Sequence, residues 1–546
     1  MNQEKTYLQQ DKLCFCGSAK DAQICCSYEI IFNNIKSLVT SNNLIIKNLL
    51  EAETLCKKLL NLNSSDLRIY QALFFIYSKT NNPKQALISL EEISTLTHNP
   101  IRLAQCYSDT GNMLNNLGEK KEAEEALKKA IELNPDYAPA HYNLAVVYMS
   151  EKKNDEAIEH YKLAIKLDPS FTKAYNNLTR LLINNPENLQ ESLYYLQKAI
   201  ELSPDMEELI YNLGITFSVA GNFLESKLAF EKSFTLMPTK WESFEKSLDC
   251  MFLMSEYEEL VMRIKKFFEN KNNIPVVTKK RMYFYLYLLS FLQEDYSNCD
   301  LYLCKSSLLL DFPDEDKKIR AIKIFYNYIK LLVLYRNANY MVYEKSYDDN
   351  IYIIGESHCL SSAHLIINLN DKQYKIVPYI ITGCKIWHLI SPYQNSYSKS
   401  FDILLNKATP NSITIMCFGE IDCRFNEGIM SFYRKNPEID IELHIHQMIL
   451  KYISLLRKKA LEKQLDILVQ GVPAPNVDLS NIDQKEKNSF LDIVKYFNHQ
   501  LKNECNKYDI KFLDVYSLTA NEFGTSNGLY HLDGHHLKPH YINLVM

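Results

Sequence analysis

Residue types that could perform nucleophilic catalysis occur at two widely separated positions in the C-terminal half of the chain. Ser357 lies in Gly355-Glu356-Ser357-His358, directly after a short apolar segment, and Asp533-Gly534-His535-His536 follows much later. A histidine can accept the proton of a serine hydroxyl, and a carboxylate can orient the imidazole ring. We therefore predict Ser357 as the nucleophile, His536 as the general base and Asp533 as the group that orients the base.

Two alternative interpretations of these residues stay open at the level of sequence. Serine is a favoured N-cap residue, so Ser357 could simply begin a helix. Cys359 is a second candidate nucleophile, because a thiolate also needs an adjacent base. His535 and His540 are interpreted as exposed neighbours of the base.

The elements that must position these residues are short β-rich segments that alternate with helical patterns after residue 337. This alternation predicts a parallel sheet with crossover helices, whose sites lie at the carboxyl ends of the strands. Ser357 directly follows the first strand, where backbone N–H groups at a sharp turn can stabilise an oxyanion. The predicted strands are residues 351–354, 374–381, 412–418, 465–471 and 510–515.

Together these motifs resemble those of the SGNH (GDSL-type) hydrolases, which cleave esters, often acetyl groups on carbohydrates. The resemblance covers residues 341–546 and implies a flavodoxin-like, three-layer α/β domain. It also implies an acylated or acetylated substrate and no cofactor for catalysis. In that family, the groups corresponding to the N–H of Ser357 and the N–H of Gly383 bind the oxyanion.

The third motif of that family, normally Gly-x-Asn-Asp, is replaced by Gly419-Glu420-Ile421-Asp422, and Glu356 replaces the usual Asp. Ile421 has no side-chain amide, and loss of one oxyanion donor typically costs about a hundredfold in rate. We predict a rearranged polar block with an ion pair between Asp422 and Arg424. The members of this block are Gly419, Glu420, Asp422 and Arg424.

A regular spacing of prolines marks the region that precedes the β-rich segments. The intervals are 35, 34, 35 and 34 residues, and a period near 34 is typical of the tetratricopeptide repeat. We predict a tetratricopeptide solenoid over residues 31–240 and irregular helical pairs continuing it over residues 241–340. The prolines are Pro100, Pro135, Pro169, Pro204 and Pro238.

Four polar residues occupy the same position of the first helix in successive repeats, and we expect them to line one concave face. Stacked amides can hydrogen-bond the backbone of an extended peptide without reading its sequence. This ladder resembles that of the protein O-GlcNAc transferases, which implies a protein or peptide partner. The alternative is an ordinary solvated helix face. The residues are Asp109, Asn143, Asn177 and Asn212.

A cluster of cysteines near the N-terminus predicts a metal site in residues 1–30. Four thiols fall within thirteen positions, and Gly17 allows the tight turn that brings neighbouring sulfurs to one tetrahedral zinc ion. The alternative is four unrelated thiols. The segment resembles the SEC-C zinc motif, which implies a structural, non-catalytic zinc. The predicted ligands are Cys14, Cys16, Cys25 and Cys26.

Composition limits the remaining possibilities for the 546-residue chain. The 61 basic and 66 acidic residues give a net charge of −5, so we expect neither a nucleic-acid nor a membrane partner. The polar N-terminal segment and the scattered single cysteines favour a cytoplasmic location with reduced thiols. The predicted architecture is multidomain: a zinc knuckle, an all-α solenoid and an α/β domain of the SGNH type.

Two functions of different classes are consistent with this sequence. The first is a serine esterase or acyl hydrolase whose substrate or partner is recruited by the tetratricopeptide solenoid. The second is a non-catalytic scaffold or adaptor that binds peptides through the repeats, with a degenerate hydrolase-like domain. The isoleucine at position 421 is the reason for retaining the second.

Overall fold

The computed structural model describes residues 32–35, 46–62, 65–80, 82–97, 99–270, 273–307, 317–338 and 347–546. The predicted zinc ligands Cys14, Cys16, Cys25 and Cys26 lie outside these residues. The chain separates into two compact units. One extends to Asn184 and includes Glu191–Pro204, and the other comprises Asn185–Gln190 and Asp205–Met546.

The first unit consists of helices, and from Ile46–Leu62 to Thr172–Leu182 each packs against the next along the chain. Alanines at the helix contacts, such as Ala123 and Ala157, have no exposed surface, and small residues of this kind let helix axes approach closely. The predicted all-α character of this part is confirmed. Its helices are α1 Ile46–Leu62, α2 Leu67–Lys79, α3 Pro83–Leu96, α4 Pro100–Leu117, α5 Lys120–Leu133, α6 Ala138–Ser150, α7 Asn154–Leu167, α8 Thr172–Leu182 and α9 Leu189–Leu202.

The second unit begins with seven more helices. Among them, the helix Val276–Leu292 is buried on all sides from Tyr285 to Phe291, as expected for a helix whose apolar residues are not confined to one stripe. Among the described helices, none is both long and apolar enough to cross a lipid bilayer. The seven are α10 Glu207–Val219, α11 Phe223–Leu236, α12 Trp241–Leu253, α13 Tyr257–Asn270, α14 Val276–Leu292, α15 Tyr296–Ser307 and α16 Lys317–Ala338.

A six-stranded sheet follows, with the strand order β2-β3-β1-β4-β5-β6. Its strands are β1 Asp349–Gly355, β2 Ile366–Leu369, β3 Lys372–Ile380, β4 Ile413–Cys417, β5 Asp466–Gln470 and β6 Phe512–Leu513. The five predicted strands correspond to β1, β3, β4, β5 and β6, which pair in parallel.

The predicted parallel sheet is confirmed for these five strands, but the sheet as a whole is mixed. The additional strand β2 runs antiparallel to β3. The two are joined by Asn370 and Asp371, whose φ angles are 51° and 64°. Asparagine and aspartate tolerate the left-handed region that a two-residue hairpin turn requires.

Helices and short 3₁₀ segments connect the strands. The helices are α17 Ile386–Leu389, α18 Ser396–Leu405, α19 Gly428–Lys435, α20 Ile441–Lys463, α21 Gln484–Lys507, α22 Val515–Thr519 and α23 Ile542–Val545. The 3₁₀ segments of the second unit are Pro186–Asn188, Ser357–Leu360 and Pro539–Tyr541.

The two faces of the sheet belong to two separate buried clusters, because successive side chains of a strand point to opposite faces. Tyr352 and Ile354 of β1 share a cluster with residues of α18, α20 and α21. Ile351 and Ile353 share a cluster with residues of α12 to α16. The helices that the sequence assigns to the end of the solenoid therefore contribute to the core of the sheet region.

Candidate active site

The close approach of β1 and β4 explains the residue that ends β1. A Cβ atom at Gly355 would collide with the carbonyl oxygen of Cys417 in β4, so the sequence requires glycine here. Glu356 follows and is the N-cap of the 3₁₀ helix Ser357–Leu360, accepting the N–H of His358 at 3.4 Å. The alternative interpretation of Ser357 as the N-cap is therefore wrong.

The structure brings the three predicted catalytic side chains together, although Ser357 and His536 are 179 positions apart. The Nε2 atom of His536 lies 2.9 Å from the Oγ atom of Ser357. The Nδ1 atom of His536 lies 2.8 Å from Oδ2 and 3.0 Å from Oδ1 of Asp533. The three side chains therefore form a chain of hydrogen bonds from nucleophile to base to orienting carboxylate.

The loop that carries the base is fixed by its own backbone. The Oδ1 atom of Asp533 accepts the N–H groups of His535 at 2.8 Å and His536 at 2.7 Å. The side chain of Asn476 donates to the carbonyl oxygen of Asp533 at 2.8 Å. The sequence analysis missed Asn476, which lies in a loop after β5 and has no motif around it.

The protonation states in the triad follow from burial and from these bonds. Burial lowers the pKa of His536 below its usual value, and the bond to Asp533 opposes this only in part. Burial raises the pKa of Asp533, but the interactions with the His536 ring and the backbone N–H groups of His535 and His536 together outweigh burial and hold that pKa below its usual range. At neutral pH, His536 is therefore neutral, with its proton on Nδ1 and its Nε2 able to accept.

The hydroxyl of Ser357 has a second acceptor besides His536. Its Oγ atom lies 2.8 Å from Oε2 of Glu356, almost the same distance as from the Nε2 atom of His536. A hydroxyl has one proton to donate, so the two acceptors compete for it. Only 6% of the surface of Ser357 is exposed, which leaves little room for water to take part.

His358 forms a buried ion pair with Glu356. Its Nδ1 atom lies 2.7 Å from Oε1 of Glu356, and its Nε2 donates to the carbonyl oxygen of His535 at 2.8 Å. Burial lowers the pKa of His358, but the carboxylates of Glu356 and Glu420 and the bond to the carbonyl oxygen of His535 together outweigh burial and raise that pKa to about 9. His358 is thus an imidazolium at neutral pH, and its positive charge helps to lower the pKa of His536.

The polar block after β4 differs from the prediction. Arg424 pairs with Glu420, donating from Nε to Oε2 at 2.8 Å, and the predicted pair between Asp422 and Arg424 is wrong. Asp422 instead accepts the backbone N–H of Ile386 at 2.9 Å. Burial raises the pKa of Asp422 to about 7. Gly419 opens this turn with φ at 113°.

The turn that carries Gly383 is tied to both neighbouring segments. Ile381 donates its N–H to the carbonyl oxygen of Gly355 at 2.8 Å, and Ile386 donates to Asp422. Gly383 itself has φ at 73°, in the left-handed region that favours glycine. The turn is therefore anchored beside the end of β1, where the sequence analysis expects an oxyanion donor.

One group of potential metal ligands occurs among the described residues. The ligand atoms of Glu356, His358 and Glu420 lie within 4.8 Å of one another. Each carboxylate already has a cation beside it, since His358 pairs with Glu356 and Arg424 pairs with Glu420. A metal ion would have to displace the proton of His358, so we assign no metal to this group.

A cavity of about 530 Å³ lies next to this polar network. Its lining includes Glu420 and Arg424 from the turn after β4, His535 from the base loop, and Val494 of α21. Ile324 of α16 also lines it. Glu420 also accepts from His535, with 3.2 Å between Oε1 and Nδ1, so the polar network forms one side of the cavity.

The sequence analysis missed the residue that covers the base. The ring of Tyr328 in α16 stacks on the ring of His536, with 3.6 Å between centroids and 14° between planes. Its hydroxyl is hydrogen-bonded to the Oγ atom of Ser361 at 2.8 Å. Tyr328 lies in a helix that the sequence analysis assigns to the solenoid. Its position in an apolar helix indicates burial, and no motif indicates a place in the site.

Two families of known proteins match part of the first unit. The tetratricopeptide repeat family matches residues 138–171, and the TPR repeat family matches residues 111–151. Residues 111–171 are tetratricopeptide repeats. No curated protein matches the chain.

Many solved structures resemble part of the chain. A structure of MamA is 29% identical, covers 29% of this chain and 90% of its own, and has a TM-score of 0.26. A structure of YrrB, described as a TPR protein with an unusual peptide-binding site, is 21% identical, covers 35% and 95%, and has a TM-score of 0.29. A tetratricopeptide repeat protein from Parabacteroides merdae is 18% identical, covers 47% and 97%, and has a TM-score of 0.33.

Within the tetratricopeptide repeats, the polar ladder makes bonds between neighbouring repeats. Asn143 donates to the hydroxyl of Ser108 at 3.1 Å, and Asn177 donates to the hydroxyl of Tyr142 at 3.1 Å. Burial raises the pKa of Asp109 to about 6. The fourth predicted member, Asn212, is buried in the second unit.

Proposed function

We propose that this protein is a serine hydrolase of ester or acyl bonds, which recruits its substrate or partner through tetratricopeptide repeats. The observation that carries the proposal is the position of His536 between two partners. Its Nε2 atom is 2.9 Å from the hydroxyl of Ser357, and its Nδ1 atom is 2.8 Å from the carboxylate of Asp533. A buried N-terminal turn of a helix has no need of such a base and orienting group.

In the proposed reaction, His536 accepts the hydroxyl proton while the Oγ atom of Ser357 attacks the acyl carbonyl. The N–H groups of Ser357 and Gly383 stabilise the oxyanion. His536 then donates the proton to the leaving alcohol, which gives an acyl-serine. Water attacks this ester with His536 as base, and the carboxylic acid is released. The residues supply every proton transfer, so the proposal needs no cofactor for catalysis.

The substrate we propose is an acylated or acetylated molecule, such as a carbohydrate ester. The cavity beside Glu420 and His535 has the size of a small-molecule site and adjoins the loop of the base. A protein or peptide partner would bind the ladder in the repeats. We place the protein in the cytoplasm, which suits the ten described cysteines, all of them free thiols.

The direct test uses a fluorophosphonate, whose phosphorus is attacked by the serine oxygen with loss of fluoride while His536 takes the proton. We expect one label per chain on Ser357 and hydrolysis of a short-chain aryl ester. Ser357→Ala should abolish both, while Ser361→Ala should still be labelled. Wild-type protein that is folded but neither labelled nor active would contradict the proposal.

The second candidate function is a scaffold whose sheet region binds without turnover. Two observations favour it: Ile421 provides no amide to an oxyanion, and Glu356 competes with the base for the proton of Ser357. Ile421→Asn separates the two candidates. Turnover that rises about tenfold to a hundredfold indicates an enzyme that lacks one donor. Wild-type turnover that depends on Ser357 disproves the scaffold.

We also propose a structural zinc ion on Cys14, Cys16, Cys25 and Cys26, which lie outside the described residues. Metal analysis of protein purified without chelator should give about one zinc per chain. The double variant Cys25→Ser and Cys26→Ser should lose it, whereas Cys304→Ser, which replaces an exposed thiol, should retain it. A wild-type protein free of metal would disprove this site.

A further inference from the structure

The imidazole of His536 is held at three places, and the third is provided by a helix outside the sheet. Asp533 binds its Nδ1 edge and Ser357 its Nε2 edge. Tyr328 of α16 covers one face of the ring, with 3.6 Å between centroids. The two hydrogen bonds define positions in the plane of the ring, and the stacking fixes the orientation of that plane.

Tyr328 is itself rigidly placed. It has only 1% of its surface exposed, and its neighbours Ile329 and Leu332 are completely buried. Its hydroxyl bonds the hydroxyl of Ser361, which directly follows the 3₁₀ helix that begins with Ser357. One side chain of α16 therefore contacts both the segment of the nucleophile and the ring of the base.

The stacking also suits the charge that the base acquires. In the proposed reaction, His536 becomes an imidazolium in a nearly dry environment, where 5% of its surface is exposed. The face of an aromatic ring is electronegative and attracts a cation placed against it. The contact with Tyr328 is therefore stronger when the base carries the proton than in the resting state.

We infer that Tyr328 is a positioning residue for His536, and that α16 is a component of the active site. This inference rests on the proposed hydrolase function. Ile324 lies one helical turn before Tyr328 and lines the cavity beside His535, so the same side of α16 faces both the base and the cavity. The helix would thus orient the base and border the substrate site.

The effect of Tyr328 is separable from that of the charged groups around the base. His536 faces Asp533 on its own loop, and Glu356 and His358 at the end of β1. Tyr328→Leu removes the aromatic ring, and Tyr328→Phe removes only the hydroxyl. Both variants leave these three residues in place. Tyr326→Leu is the matched control, because Tyr326 is buried in the same helix and its hydroxyl bonds the carbonyl oxygen of Leu303.

The experiment measures the rate of fluorophosphonate labelling of the full chain as a function of pH. We expect Tyr328→Leu to label about tenfold or more slowly at neutral pH, because small displacements of a catalytic group cost this much. The midpoint of its acid limb should move to higher pH. Water then reaches the ring of His536, and the loss of burial, which is the main cause of the lowered pKa of His536, outweighs the loss of the cation–π contact. Tyr328→Phe should stay within about threefold of wild type, and Tyr326→Leu should keep the wild-type midpoint.

Each other outcome has a definite meaning. If Tyr328→Leu labels like wild type with the same midpoint, the inference is wrong. If Tyr328→Phe is as slow as Tyr328→Leu, the bond to Ser361 matters and not the stacked ring, which also overturns it. If wild-type protein is not labelled, the hydrolase proposal fails separately. In that case the pKa of His536 is measured by NMR of isotope-labelled histidine, and its signal is assigned by comparison with His536→Gln. This pKa must still differ from the wild-type value in Tyr328→Leu and in no other variant.

Discussion

The ladder in the repeats and the site at the strand ends are both polar sets, but they are assembled over very different distances along the chain. The bonds of Asn143 and Asn177 each join residues 35 positions apart, which is one repeat. Ser357 and His536 are 179 positions apart. A bond that recurs once per repeat depends on local packing, whereas the catalytic arrangement depends on the topology of the whole sheet region.

The two regions also differ in the charge that they bury. The ladder amides of Asn143 and Asn177 are neutral, and each bonds a neighbouring hydroxyl. The strand-end site buries the Glu356 carboxylate with the His358 imidazolium and sets Asp533 against the base. Removing one partner of a buried charged pair is far more costly than removing a neutral hydrogen bond. We therefore expect substitutions to have larger effects at the strand ends than in the ladder.

The largest effect is expected from Asp533→Asn, which leaves the size of the side chain unchanged. The amide cannot accept the Nδ1 proton of His536 as the carboxylate does, so the ring adopts the wrong tautomer and turnover falls by about 10⁴. The measurement is kcat with an aryl ester. Asp466→Asn, at an exposed carboxylate that begins β5, serves as the control. Equal turnover in the two variants would remove Asp533 from the mechanism.

The next largest effect concerns stability. His358→Asn leaves the carboxylate of Glu356 buried without its cation, which costs about 3–5 kcal/mol in the free energy of unfolding. Urea unfolding measures this cost, with His499→Asn at an exposed histidine as the control. A change below about 1 kcal/mol would show that the pair contributes little.

The same pair gives a pH dependence with a defined sign. The pKa of His358 is raised to about 9 in the folded protein, above its unfolded value near 6.5. The stabilising contribution is therefore fully present below pH 6.5 and is lost as pH rises through 9. Urea unfolding across this range should show the loss in wild type and a smaller one in His358→Asn. Parallel curves would contradict the assignment of His358 as the titrating group.

A smaller effect is expected from Gly355→Ala, because the new methyl group would collide with the backbone of β4 at Cys417. Overpacking of this kind typically costs about 1–3 kcal/mol. Gly534→Ala is the matched control for urea unfolding, since its nearest neighbour, the carbonyl oxygen of Asn476, would be 3.9 Å from the new Cβ. Equal stability of the two variants would mean that β1 and β4 can separate without cost.

The smallest effect is expected in the repeats. Asn143→Ala removes one neutral hydrogen bond to Ser108 and should lower the free energy of unfolding by about 1 kcal/mol. Asn177→Ala should behave alike, because its bond to Tyr142 has the same length. A loss above about 3 kcal/mol in either variant, measured by urea unfolding, would mean that the ladder contributes as much to stability as the buried charged pair at the strand ends.

Much of the architecture could be predicted because its signals are local. The proline period marks helix pairs, and the apolar segment before Ser357 marks β1, since both depend on neighbours within one element. The hairpin of β2 and β3 also had a local signal, the turn residues Asn370 and Asp371, which the sequence analysis did not use. The antiparallel strand β2 is therefore missing from the predicted strands.

The arrangement around the triad could be predicted only in part, because its remaining partners come from distant segments. Asp422 lies two positions from Arg424, yet its carboxylate is directed to Ile386, 36 positions away. The Nε2 atom of His358 bonds the backbone carbonyl oxygen of His535, 177 positions away. No pattern within one element indicates either contact, and Tyr328 approaches His536 from a helix with no motif of its own.

The separation of nucleophile and base along the chain has a consequence for biosynthesis. Translation proceeds at about 5–20 residues per second, so the segment of His536 leaves the ribosome roughly 10–35 seconds after that of Ser357. During that interval Ser357 has left the ribosome, but its general base His536 has not. Under the proposed function, the nascent protein is unable to hydrolyse esters in the cell until synthesis has passed the loop of His536, so it acquires activity only after all six strands of the sheet have been made.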